Sequence, residues 1–238
     1  ASKIYLDNNA TTRPDPRVLA AMAPVHAELW ANPSSRHRGG DAASRALHRA
    51  RALAAEALGA KPREVVFTSG GTEADNLALR GVILAAPAPR HLVVTAVEHP
   101  AVLDTARDLA DLALCELTVL GVDGAGRLDL DELQAALRPG ETRLVSVMAA
   151  NNESGVLFDL PAVAERVRPS GALLHTDAVN AVGKIPVDLR RLPVDLLSIS
   201  AHKFHGPKGV GALVVRQGVE LRPQLTGGGQ ERGRRSST

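Results

Sequence analysis

Cysteine is almost absent. The one residue, Cys115, can form neither an internal disulfide nor a multi-cysteine zinc site, which excludes a secreted disulfide framework and a zinc finger. Aromatic residues make up 2% of the chain, namely Tyr5, Trp30, Phe67, Phe158 and Phe204, too few for a base-stacking platform. No apolar run approaches the roughly 18 residues of a membrane helix, and the opening ASKIYLD lacks the charged-then-apolar order of a signal peptide. The protein therefore reads as cytoplasmic, with no membrane partner. Nor is there an excess of one charge: 28 basic residues face 26 acidic ones for a net +2, and the two signs are interspersed. Nucleic acid is not an expected partner. Three arginines crowd into Glu231-Arg232-Gly233-Arg234-Arg235, where a solvated tail is an adequate explanation. Lysine is scarce as well, with only Lys3, Lys61, Lys184, Lys203 and Lys208 against 23 arginines.

What is present is an ordinary globular composition: 238 residues, 45% hydrophobic and 23% charged, enough to bury a full core. Short β-rich runs alternate with helical patterns. Asp15-Pro16 places a cap and a first-turn proline before Val18, Met22, Val25 and Leu29, which share one helical face. A second helix spans 41–58 and stops at Gly59, and strand 64–68 runs into Ser69-Gly70-Gly71-Thr72 and another helix. Strands at 91–97, 115–120, 143–149, 172–177, 194–200 and 210–215 follow, with helices at 100–112, 129–138 and 160–168; Asp129 and Glu132 suit a capping box. This alternation predicts an α/β three-layer sandwich, a mostly parallel sheet covered on both faces. From about residue 15 the chain reads as one domain. A short strand over Lys3 to Leu6 is set apart by Asn8-Asn9 and Pro14. The loop-like stretch from Thr226 ends without a closing element, which implies an incomplete chain or one that continues elsewhere.

In an open α/β sheet ligands bind beyond the carboxyl ends of the strands, so the residues there carry the chemistry. Ser69-Gly70-Gly71-Thr72 can bring backbone N–H groups to a phosphate at a helix N-terminus; a plain tight turn would look the same. It is neither a Walker A loop nor a dinucleotide fingerprint. Glu98-His99-Pro100 places an imidazole at a strand end, catalytic or merely structural. Asn151-Asn152-Glu153-Ser154-Gly155 is a polar cluster that an Asx turn would also explain. His175-Thr176-Asp177 carries a carboxylate into an apolar setting, where a cationic partner is expected. Lys203 ends an apolar strand between His202 and His205. In a chain that habitually uses arginine, a retained lysine suggests Schiff-base chemistry, which arginine cannot perform; a surface cap on the strand is the alternative. A phosphate cradle, an imine-forming lysine, a carboxylate for a ring nitrogen and a flat side chain to cover a ring are together the requirements of pyridoxal phosphate.

These segments resemble a known family. Tyr5-Leu-Asp-Asn-Asn-Ala-Thr-Thr12, Asn32-Pro-Ser-Ser35, Phe67-Thr-Ser-Gly-Gly-Thr-Glu-Ala-Asp-Asn76, Glu98-His-Pro-Ala-Val-Leu103, Asn151 to Gly155, His175-Thr-Asp-Ala178, Ala201 to Gly209 and Gly227 to Gly233 are similar to those of NifS/IscS-type cysteine desulfurases, class V aminotransferase-like enzymes of fold type I. The resemblance runs, in order, through nearly the whole chain. It implies that Lys203 carries pyridoxal 5'-phosphate, that Asp177 partners the pyridine nitrogen, and that His99 stacks on the ring and assists proton transfer. Gly71, Thr72, Ser200 and His202 match phosphate-binding positions, and Asn152 the asparagine beside cofactor and substrate. Thr238 matches a threonine that reaches the phosphate of the other subunit, which implies a homodimer. Asn180 stands where the family has a glutamine near the phenolic oxygen, and Ser237 replaces a glycine. The family's cysteine loop, its substrate-carboxylate arginine and most of its small domain would lie beyond Thr238.

On this resemblance residues 1–14 begin the small domain and 15–238 form the cofactor-binding large domain. The implied activity converts L-cysteine to L-alanine and leaves the sulfur as an enzyme persulfide, bound for a sulfur-acceptor scaffold protein and iron–sulfur cluster assembly or another sulfur-transfer pathway. Cys115 matches no nucleophile of the family. A class V aminotransferase, a selenocysteine or cysteine-derivative lyase, and an inactive cofactor-binding fragment are the alternatives.

Overall fold

The computed structural model describes residues 4–237. Helix α1 (Pro16–Glu28) starts where the Asp15 carboxylate accepts the Arg17 N–H at 2.8 Å, with Pro16 in the first turn. Helix α2 (Arg38–Leu58) ends at Gly59, whose φ of 68° closes the last turn in the left-handed region. There follow β1 (Val65–Thr68), α3 (Gly71–Ala85), β2 (His91–Thr95), α4 (Pro100–Asp111), β3 (Glu116–Leu120), α5 (Leu130–Ala136), β4 (Thr142–Ser146), α6 (Leu160–Val167), β5 (Leu173–Asp177), β6 (Leu196–Ser200) and β7 (Gly211–Val215). Asp129 caps α5 by accepting from the N–H groups of Asp131 and Glu132.

The seven strands form one sheet in the order β1-β7-β6-β5-β4-β2-β3. Only β7 is antiparallel to its neighbours; every other pair is parallel. Successive side chains of each strand point to opposite faces, so adjacent residues enter different cores. Val93 joins Val145, Leu174 and Leu197 under α6 residues Leu160 and Val163. Leu92 and Val94 join Leu77 and Ile83 of α3 and Leu109 of α4 on the other face. Each such side chain contributes about 1.5–3 kcal/mol relative to exposure. Helices thus cover both faces, the three-layer α/β arrangement that the alternation implies. Among the described residues no helix is long and apolar enough to cross a membrane.

The amino-terminal strand is a correction. Ile4 to Leu6 form no strand, with Ile4 83% and Leu6 86% exposed. Their apolar character satisfies strand propensity, but propensity orders a chain only when a neighbouring strand accepts its hydrogen bonds, and among the described residues none does so. Helix α1 forms with its common apolar face, yet buries no residue; Val25 stays 44% exposed. Two strands end earlier than their apolar runs suggest, β2 at Thr95 instead of 97 and β4 at Ser146 instead of 149, whereas the other five end where expected; after Thr95 the chain turns to bring Glu98 and His99 to the sheet edge.

Candidate active site

Because β1, β2, β5 and β6 run in the same direction, the segments after them meet at one edge of the sheet. Gly71, Thr72, His99, Asp177, Asn180, Ser200, His202 and Lys203 line a single cavity of about 210 Å³ there. Asn152 is not part of its lining; it sits within an Asx turn in which Asn151 Oδ1 accepts from Glu153 N–H at 2.9 Å and Ser154 N–H at 2.8 Å. The structure thus shows the turn that the sequence of this cluster allows. Thr238 lies outside the described residues.

At one end of the cavity the free N–H groups of α3, the hydroxyls of Thr72 and Ser200 and the His202 imidazole converge, and Lys208 lines the adjoining space with them. This donor set is suited to a phosphate, because a helix N-terminus carries partial positive charge. Gly71 admits the close approach: a Cβ there would come within 2.8 Å of Val179 Cγ2. Gly211, at the start of β7, matters equally, since its Cβ would sit 2.7 Å from the Gly70 carbonyl carbon.

Across the cavity Asp177 ends β5, with Oδ1 accepting the Val179 N–H at 2.8 Å. Burial raises its pKa, while that hydrogen bond and the nearby His99 and Lys203 charges oppose the rise. His99 caps α4: its Nδ1 accepts the Ala101 N–H at 3.0 Å, which in the neutral ring leaves the proton on Nε2. Lys203 sits in a single-turn helix (Ala201–Lys203) directly after β6. Its pKa is lowered, chiefly by burial, with Asp177, Asp7 and Glu153 acting in the opposite sense. A more neutral amine is a better nucleophile, which suits covalent attachment to a carbonyl. The residues present therefore fit pyridoxal phosphate at both of its ends.

Beneath these groups lies a polar layer that reasoning on strand ends misses. His175, fully buried, joins three central strands: Nδ1 bonds Ser146 Oγ at 2.8 Å and Nε2 bonds Ser198 Oγ at 3.0 Å. Burial pushes its pKa down to about 3, so the ring is neutral. Asp75 lines the cavity floor from α3, with Oδ1 3.6 Å from His175 Nε2 and no hydrogen-bond partner. Burial, followed by the proximity of Asp177, raises its pKa well above the carboxylate range. Glu98 is buried as well; Oε1 accepts from Thr95 Oγ1 at 2.8 Å and from Met148 N–H at 2.7 Å, and burial pushes its pKa up to about 8. The available signals were slight: Asp75 stands four residues after Gly71, on the same helical face, and Glu98 precedes His99.

Cys115 precedes β3, whose register pairs Glu116 with His91 at the amino end of β2, whereas the cavity lies beyond the carboxyl end. The thiol is half-buried, and burial pushes its pKa up to about 11.

An α/β sheet with a lysine, a carboxylate and a helix N-terminus around one edge cavity presents the donor set that a phosphorylated aldehyde would require. The match to known proteins narrows this reading. Residues 4–235 fit the family model "Aminotransferase class-V", and the chain belongs to that family. It is 51% identical over 237 residues to a cysteine desulfurase of Trichormus azollae, covering all of this chain and 59% of that protein. A cysteine desulfurase of Cereibacter sphaeroides is 50% identical, with 99% of this chain and 61% of that one covered. Among solved structures, one titled NifS-like protein has a TM-score of 0.96 at 43% identity, covering all of this chain and 65% of the other. A second, SspA in complex with cysteine, has a TM-score of 0.94 at 35% identity, with 99% and 68% covered. The chain spans about three fifths of the length of the curated relatives it matches.

Proposed function

We propose that this chain is the cofactor-binding part of a pyridoxal-phosphate-dependent cysteine desulfurase that takes L-cysteine to L-alanine and hands on its sulfur as an enzyme persulfide. The observation that carries this reading is the convergence of Lys203, Asp177 and the α3 N-terminus on one cavity. The cysteine desulfurases at about half identity and the cysteine complex of SspA favour it over other activities of the family. Bound here, pyridoxal phosphate would act as an electron sink for the substrate α carbon.

The protein residues would have separate tasks. The α3 N–H groups, Thr72, Ser200 and His202 hold the phosphate, and Gly71 keeps the floor low enough to admit it. Asp177 would offer its carboxylate to the ring nitrogen; burial and the proximity of Asp177 raise the pKa of Asp75 behind it, which disfavours a second negative charge there. His99, which lines the cavity and uses Nδ1 for the α4 cap, would cover the ring and could carry a proton on Nε2. Lys203, carrying an amine of lowered pKa, is the attachment point and a proton carrier at the α carbon. Asn180 would lie beside the ring, but it is shorter than the family's glutamine, so the hydrogen bond to the phenolic oxygen would be lost or bridged by water; Asn152 would stand next to cofactor and substrate from outside the cavity lining. Cys115 lies at the far edge of the sheet, so the sulfur-accepting thiol comes from outside residues 1–238 in this reading. A homodimer sharing its sites, with Thr238 reaching the partner's phosphate, an acceptor protein for the sulfur and a cytoplasmic location complete the proposal. Residues 1–14 would open the smaller domain and 15–238 form the larger one.

Borohydride reduction of the protein loaded with pyridoxal phosphate, followed by peptide mapping, tests the assignment. A pyridoxyl label on Lys203 is expected. A label on Lys184 or Lys208 instead would overturn it.

A further inference from the structure

Outside the expected ligand set, three long-range hydrogen bonds centre on Asn9. Its main-chain carbonyl accepts from Lys203 Nζ, its Oδ1 accepts from Lys184 Nζ at 2.9 Å, and its Nδ2 donates to the main-chain carbonyl of Asn152 at 3.1 Å. Lys184 Nζ also donates to Asn180 Oδ1 at 3.1 Å. One residue of the amino-terminal segment therefore links, directly or through Lys184, to Lys203, Asn152 and Asn180. Local turn geometry does not require this, because the turn is closed by the Ala10 N–H bonding the Asp7 carbonyl. The residues that follow fasten the segment to the turn bearing the lysine. Thr12 N–H and Oγ1 both donate to the His202 carbonyl at 2.8 Å, and His205 N–H donates to Thr12 Oγ1 at 2.7 Å. The Asn9 carbonyl is thus held at a defined place beside the lysine amine.

We propose that Asn9 is a positioning residue for Lys203: its carbonyl is where the amine parks whenever that nitrogen is not bonded to cofactor, and its side chain, spanning Lys184 and Asn152, keeps the carbonyl there. The proposal rests on Lys203 being the cofactor lysine. A half-buried amine without an acceptor is costly, and Lys203 has a charged alternative in Asp177 on the other side of the cavity. An amine held by that carboxylate would occupy the place of the ring nitrogen. A neutral carbonyl binds an amine more weakly than a carboxylate does, so it holds Lys203 aside and releases it readily.

The test uses the cofactor-free protein and limited acetylation, with Lys208, exposed in the same segment, as internal reference. The hydrogen bond shields Nζ and favours its protonated form, so Asn9→Ala, which keeps the carbonyl but removes the side-chain bonds that hold it in place, should raise the Lys203-to-Lys208 acetylation ratio by about twofold or more, up to the roughly fivefold of one ordinary hydrogen bond lost outright. Asn9→Ser, too short to span both partners, should act in the same direction and serves if the alanine variant folds poorly. Loading with pyridoxal phosphate, followed by absorbance, should reach the same end point in the variants with an altered rate. An unchanged acetylation ratio in both variants overturns the parking role even where the borohydride label falls on Lys203. A borohydride label on another lysine overturns the cofactor assignment, and the parking role with it, whatever the ratio.

Discussion

Replacing Glu98 by glutamine isolates the polar layer under the cavity. The Glu98 carboxyl is buried, its Oε2 has no hydrogen-bond partner, and burial pushes its pKa up from 4.5 to about 8. In the folded protein it is therefore largely a neutral acid at pH 7, whereas the unfolded chain ionises it near pH 4.5. The folded state binds the extra proton between those values, so the contribution of this group to stability is complete below about pH 4.5 and is lost as pH rises towards 8. The gap corresponds to at most about 5 kcal/mol, and structural relaxation will leave less. Glutamine keeps the Oε1 acceptor for Thr95 and Met148 and cannot titrate. Urea unfolding of parent and Glu98→Gln at pH 5, 6, 7 and 8, followed by far-UV circular dichroism, should show nearly equal stability at pH 5. The variant should lead increasingly towards pH 8. Taking the difference between two proteins cancels the titration of His175 and of other distant groups. Parallel profiles, or a parent that gains on the variant as pH rises, would refute the argument, because either would mean that Glu98 is ionised and satisfied in the fold.

Two other changes probe the frame around the site. Arg51 and Glu231 form a bidentate pair at 2.6 and 2.7 Å with side chains 7% and 9% exposed, and Glu231 also accepts the Phe67 N–H at 2.9 Å. Glu231→Gln leaves a buried guanidinium uncompensated and should lower stability by about 3 kcal/mol in the same urea assay, against a few tenths for an exposed pair such as Arg107 with Asp104. With its pKa near 11, Cys115 should react with a maleimide at pH 7 far more slowly than free cysteine does. Cys115→Ser should leave pyridoxal phosphate binding unchanged; a fall in cofactor affinity would place the thiol nearer the cavity than the register of β2 and β3 allows.

The elements that local pattern controls were legible in the sequence. Caps at Asp15 and Asp129, the stop at Gly59 and the order of strands and helices follow from side-chain chemistry within a few residues, and the structure keeps them. The parallel direction of most strands follows from the helices between them, and it is what sends the segments after β1, β2, β5 and β6 to one edge. Hence Lys203, Asp177, His99 and the Gly70-Gly71 turn could be singled out as candidates before any fold was known. Pairing and burial were decided elsewhere. A strand needs a neighbour, so the apolar run Ile4 to Leu6 gained no place in the sheet, whereas Gly211 to Val215 was inserted antiparallel between β1 and β6. Protonation depends on how much water and how many charges surround a group, so that Glu98 and His175 are neutral, and the pKa of Asp75 is raised, only because the sheet and α3 close over them. Asn9 is separated from Lys203 by 194 residues and reaches it only because residues 11–15 are stapled to the turn after β6, a contact that no periodicity or spacing in the sequence encodes.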